Sequence, residues 1–248
     1  MQLFATPMPD LKALIFDMDG VIVDNTPVQA RAFQLLFRDQ DIDADATEML
    51  RRLNGMPATD ILKQVIDEPK SEDELKQYAA QREFLYRTLY WDDRAPLAGL
   101  VEFLEAARAA GLKVALGSGS ANETLSYILD YLDLRRFFDE VVGEGDVEEG
   151  KPHPETYAVV AKKLGIAPEN CVVFEDAILG EQAAYKAGMR VVAVTTTLEE
   201  QDFQAPLAAI PNFVGLTPAH LRELFAQAGA VPQPDKAKQQ AAQHERSE

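Results

Sequence analysis

Short apolar runs rich in Val and Ile recur along the chain, at Ala13–Phe16, Lys113–Leu116, Glu140–Val142, Cys171–Phe174 and Arg190–Val194. Runs of this kind suit strands buried on both faces of a parallel sheet. Between them, apolar positions repeat at the three- and four-residue steps of a helix. Leu100, Leu104 and Ala107 line one helix, which Gly111 closes; Leu125, Ile128, Leu129 and Leu132 line the next; Tyr157, Val160, Ala161 and Leu164 line a third. Strands alternating with helices predict an α/β fold with an open, doubly wound, Rossmann-like parallel sheet.

One stretch breaks the alternation. From about Val28 to Tyr90 there is helical periodicity and no strand-like run. Phe33, Leu36 and Phe37 share a face, and Leu75, Tyr78, Arg82, Leu85 and Leu89 follow a capping box from Ser71 to Glu74. The expected layout is a core of residues 1–26 and 92–230 with a small all-helical cap, 27–91, inserted after the first strand. Asn25–Pro27 and Trp91–Pro96 would be its tethers, and the polar stretch 231–248 a disordered tail.

Composition narrows the function. The chain has 248 residues, 47% of them hydrophobic, enough for a large core, and a formal net charge of -17. Such acidity argues against nucleic acid or an anionic membrane as partner. An anionic substrate would need local positive charge from a Lys, a metal or a helix N-terminus. The single cysteine, Cys171, excludes an intramolecular disulfide and fits a reducing cytoplasm. The N-terminus lacks a signal-peptide pattern, and no apolar stretch approaches bilayer-spanning length, so a cytoplasmic protein is expected, with a monomer favoured over an oligomer.

Four local patterns carry candidate chemistry. The first strand ends in Asp17-Met18-Asp19-Gly20, placing two acids where open α/β sheets bind ligands. They could bind a hard cation, or attack phosphorus and move a proton; Asp-Gly is also a common turn. The second strand runs into Gly117-Ser118-Gly119-Ser120, and a capping box from Ser120 to Glu123 would set a helix N-terminus beside Ser118, a seat for phosphate or merely a flexible turn. Lys151, between Gly150 and Pro152, is directed by its neighbours, although a lone Lys is usually a solvated surface residue. His153, between two prolines, reads as structural. The strand Val172–Phe174 ends in Glu175-Asp176, adjacent acids whose burial near Asp17 and Asp19 calls for a cation such as Mg2+.

The order of these patterns along one α/β chain resembles the four motifs of the haloacid dehalogenase superfamily, over about Leu11 to Leu216. The insertion resembles that superfamily's first cap class, and the chain as a whole its β-phosphoglucomutase-like phosphatases. The resemblance implies that Asp17 attacks phosphorus and forms an aspartyl phosphate, while Asp19 protonates the leaving oxygen and then deprotonates water. Ser118, the Gly119 amide and Lys151 would hold the transferring group, with Ser120 and Asn122 matching the motif beside Ser118. Asp17, the Asp19 carbonyl, Glu175 and Asp176 would hold Mg2+. The second acid, Asp19, favours phosphate esters over halides, because halide leaves without a proton.

The substrate would be a small phosphorylated metabolite read by Asn25, Gln29, Asn54, Gly55, Met56 and Thr59. In the mutases that this chain resembles, a Lys, an Arg and a His stand where Asn54, Ala58 and Gln29 stand here, and a further Lys is replaced by Ala121. Loss of the cap cations removes the anchor for a second phosphate, so hydrolysis is expected over mutase chemistry. A non-catalytic binding protein on the same scaffold is the remaining alternative; its mark would be loss of Asp17, Asp19 or the acids at 175 and 176, and all are present.

Overall fold

The computed structural model describes residues 10–67 and 70–234; the expected disordered tail lies, from residue 235 onward, outside the described residues. Six parallel strands form one sheet in the order β3-β2-β1-β4-β5-β6. They are β1 (Ala13–Phe16), β2 (Lys113–Gly117), β3 (Glu140–Val142), β4 (Cys171–Glu175), β5 (Arg190–Val194) and β6 (Ala209–Ile210). β6 escapes the sequence pattern because its two half-buried residues are too few to make a run.

Side chains alternate across the sheet, as the pleat requires. Leu14 and Phe16 of β1, Val114 and Leu116 of β2, and Val172 and Phe174 of β4 face one layer; Ala13, Ile15, Ala115 and Val173 face the other. Phe16 and Phe174 stack with ring centroids 4.6 Å apart, which locks the two central strands in register beneath the site. From β1 the chain builds β2 and β3 on one side and returns to β4 on the other. That reversal makes the carboxyl end of β1 the topological switch point, where such sheets open a crevice.

Between β1 and β2 lies a helical insertion: α1 (Thr26–Asp39), α2 (Ala46–Leu53), α3 (Ala58–Val65), α4 (Glu72–Leu89) and α5 (Leu100–Ala109). The capping box at Ser71 and Glu74 starts α4. Phe33, Phe37, Leu50, Leu62 and Leu75 bury one another in a core separate from those of the sheet. α6 (Asn122–Leu129), α7 (Glu155–Leu164), α8 (Ile178–Lys186) and α9 (Pro218–Gln227) complete the fold. Among the described residues no helix is long and apolar enough to cross a membrane. Cys171 is buried in β4.

Candidate active site

The acids marked in the sequence meet at the carboxyl ends of β1 and β4. Asp17 follows β1 and is 2% exposed; Glu175 ends β4 and, with Asp176, is fully buried. Lys151, from the loop before α7, donates to Asp17 Oδ1 at 2.8 Å and to Glu175 Oε1 at 2.6 Å. The surface-lysine reading of Lys151 is thereby excluded. Burial alone would lower its ammonium, but the Asp17 and Glu175 carboxylates outweigh that and hold it above its ordinary value. Burial, opposed by Lys151 and reinforced by Glu175 and Asp19, pushes the Asp17 carboxyl up to about 7.

Glu175 has donors on both oxygens. The Tyr157 hydroxyl shares Oε1 with Lys151, and the Asp176 and Ala177 amides reach Oε2 at 3.2 and 3.3 Å. Gly180 in α8 leaves room for this carboxylate: a Cβ there would lie 1.8 Å from Oε1. Asp176 differs. Its Oδ2 accepts from the Thr197 hydroxyl and from Asn54 Nδ2, the latter at 3.0 Å, while Oδ1 is buried with no hydrogen-bond partner among the described residues. Burial first, and then Glu175 and Asp17, raise the Asp176 carboxyl well above the usual range, against the pull of Thr197.

Asp17, Glu175 and Asp176 can each bring one oxygen within 4.8 Å of the others. Three buried carboxylates against one buried ammonium leave excess negative charge in a low-dielectric place, and an orphaned acceptor points to the same need. An all-oxygen donor set of this kind fits a hard divalent cation.

Asp19 is partly exposed, and its carboxylate takes three donors: Asn25 Nδ2 at 2.6 Å, Gln29 Nε2 at 3.0 Å and Ser120 Oγ at 2.7 Å. The Ser120–Glu123 capping box expected from the sequence does not form. α6 begins at Asn122 after Ala121, with no side-chain cap, because the Ser120 hydroxyl is spent on Asp19. Ser118 is buried beside Asp17, and its Oγ accepts the Ser120 amide at 3.1 Å.

Above these groups lies a cavity of about 390 Å³, lined from the core by Asp17, Asp19, Ser118, Gly119 and Ser120 and from the insertion by Gln29, Asn54, Gly55, Met56 and Thr59. Two expected substrate residues are not in its lining. Asn25 is fully buried, binding Asp19, the Gly20 amide and the Tyr86 hydroxyl. Asn122 lies against the backbone of Gly143 and Gly145. His153 is half-exposed beside Glu149 and Glu155.

The charged wall was missed at the sequence level. Lys76, Arg82, Glu83 and Arg87 of α4, with Glu144 from the core, also line the cavity. The loop between Leu53 and Asp60 carries no cation, and those that face the cavity come from α4. Arg82 falls on the apolar face of α4, and a charge on such a face is itself the signal in the sequence. Arg82 pairs with Glu83 and stacks over Phe33 and Tyr86, so most of its charge is answered inside the protein. Two more groups of the site carry a sequence signal: Thr197, in the polar Thr195–Thr197 stretch off the end of β5, bonds Asp176, and the Tyr157 hydroxyl, on the core face of α7, bonds Glu175.

Comparison with known proteins adds a family to this geometry. The profile of the haloacid dehalogenase-like hydrolases matches residues 14–194. A fructose-1-phosphate phosphatase of Escherichia coli (strain K12) is 34% identical over 181 residues, which is 73% of this chain and 95% of the relative. A phosphorylated carbohydrates phosphatase of Thermotoga maritima is 31% identical over 192 residues, 77% of this chain and 88% of the relative. Among solved structures, a β-phosphoglucomutase from Clostridium difficile superposes with a TM-score of 0.78 at 27% identity, covering 87% of this chain and 97% of that one.

Proposed function

The chain belongs to the haloacid dehalogenase-like hydrolases, and from that premise we propose that it hydrolyses a small phosphorylated metabolite, a sugar-phosphate-like monoester, through an aspartyl phosphate on Asp17. The observation that carries the reading is the buried Asp17 carboxylate, held by Lys151 at the switch point and facing a cavity that also holds Asp19. α1–α4 would form a cap over a core made of the remaining elements.

In the first step, an Asp17 oxygen attacks phosphorus and the P–O bond to the leaving group breaks, its oxygen taking a proton from Asp19. In the second, Asp19 takes a proton from water, the water oxygen attacks the same phosphorus, and Asp17 is released with inorganic phosphate. The three donors on Asp19 fix the direction of its carboxyl group beside Asp17, so that the same group can serve both steps. Lys151, the Ser118 hydroxyl and the Gly119 amide would neutralise and orient the transferring oxygens. Mg2+, held by Asp17, Asp176, the Asp19 carbonyl and Glu175, would supply positive charge to those same oxygens. Asp176 Oδ1, buried with no hydrogen-bond partner among the described residues, would be one of the oxygens that hold it.

The relatives' names support a sugar phosphate as the substrate class. The cavity supports one phosphate over two. The loop that would face a second phosphate carries Asn54 and Ala58, and Glu83 and Glu144 oppose the cations of α4. A β-phosphoglucomutase-type phosphotransfer is the second reading, favoured by the presence of Arg82 and Lys76 in the same wall. The deciding experiment is a panel of hexose, hexitol and pentose monophosphates incubated with Mg2+, with phosphate release measured. At least one should be turned over; release from none would overturn the proposal.

A further inference from the structure

The hydrogen bond from Asn54 to Asp176 joins residues 122 apart in sequence. Asn54 terminates α2: its own backbone is extended, and Gly55 follows at φ 91. The side chain is therefore released from the helix and reaches down to the sheet, where it is 8% exposed. The loop behind it comes equally close, because a Cβ on Gly119 would stand 2.5 Å from the Gly55 carbonyl oxygen. A second link reaches the same carboxylate oxygen. Thr197, which donates to Asp176 Oδ2, shares a 2.9 Å hydrogen bond with Thr26 in the first turn of α1. Two points of the helical insertion thus converge on Asp176 Oδ2.

The other oxygen, Oδ1, is buried and has no hydrogen-bond partner among the described residues. A carboxylate whose one oxygen is held by two donors has its plane and its remaining lone pairs set. Partners of this sort orient a metal ligand and tune its affinity. Resting on the functional reading above, we infer that Asn54 is a positioning residue for the metal site, so that seating the insertion on the core and binding a divalent cation favour one another. Linkage makes the effect reciprocal: whatever closure adds to cation affinity, the cation adds to closure.

The test is Mg2+ titration by calorimetry, without substrate, on the parent chain and on Asn54→Ala. Loss of an outer partner should weaken Mg2+ binding about 10-fold or more, with the melting temperature in EDTA little changed. Equal affinity in the two proteins overturns the inference. A second measurement guards against a variant that fails to fold. Fluorophores placed at Arg51→Cys in the insertion and Lys162→Cys in the core of the parent should draw closer on adding Mg2+; the native Cys171 is buried and escapes labelling. An unchanged separation also overturns it. A parent that releases phosphate and binds Mg2+ while Asn54→Ala binds it equally well sinks this inference alone. A parent that neither binds Mg2+ nor hydrolyses any monophosphate sinks the functional reading beneath it.

Discussion

The Lys151 ammonium lies 2.8 Å from Asp17 Oδ1, with both side chains almost sealed from solvent. The same ammonium also serves Glu175 at 2.6 Å, so one cation holds two acids in place. Removing it leaves both without their shared partner. Lys151→Met should therefore destabilise the metal-free protein by about 3 kcal/mol, read by denaturant unfolding in EDTA. A variant as stable as the parent would show that the pair contributes nothing to the resting fold.

Asp17→Asn deletes the nucleophile while keeping shape and a hydrogen-bond acceptor for Lys151. Turnover should fall at least about a thousandfold, with the circular dichroism spectrum and melting temperature preserved. Activity within tenfold of the parent over many turnovers would remove Asp17 from the chemistry.

The acids predict a pH dependence of metal stabilisation. Asp17 is raised from 3.8 to about 7, and Asp176 is raised in the same sense. The folded, metal-free protein thus binds these protons more tightly than the unfolded chain, and their contribution to stability declines as pH climbs from about 4 through about 7. A divalent cation must displace those protons. The rise in melting temperature on adding Mg2+ should be small at pH 5 and largest above pH 7, and calorimetry at pH 6 in buffers of different ionisation enthalpy should show proton release. Equal gains at pH 5 and pH 8 would refute the linkage.

A phosphorylated Asp17 can be attacked by water or by a sugar hydroxyl. Asn54 and Ala58 leave that loop without a cation for a second phosphate, and on the α4 wall Arg82 and Arg87 are paired with Glu83. Incubation with Mg2+ and β-glucose 1-phosphate, with and without glucose 1,6-bisphosphate, should give free phosphate at most and little glucose 6-phosphate. Rapid glucose 6-phosphate formation dependent on the bisphosphate would establish the mutase reading. Ala58→Arg, which adds charge to the cavity wall, should tighten bisphosphate binding; unchanged affinity would mean that this loop does not meet the substrate's far end.

The sequence alone determined the parallel α/β sheet, the helical insertion after the first strand and the acids at the ends of β1 and β4. Those features are local: a Val- and Ile-rich run, a three- and four-residue repeat and an acid at a strand's end each announce themselves within a few residues. The Ser120 capping box failed for the converse reason. Its local logic was sound, but Asp19, 101 residues away in sequence, took the hydroxyl.

Only the tertiary structure decided which groups share a partner. That Asn25 and Gln29 bind Asp19, that Asn54 crosses from α2 to Asp176, and that Arg82, Glu83 and Glu144 face the cavity all depend on how α1, α2 and α4 settle against the sheet. Hydrogen bonds and burial act over a few ångströms of space and carry no trace of chain distance. The pattern of apolar positions says which face of a helix is buried; where that face comes to rest decides which polar side chains at its edges become a site.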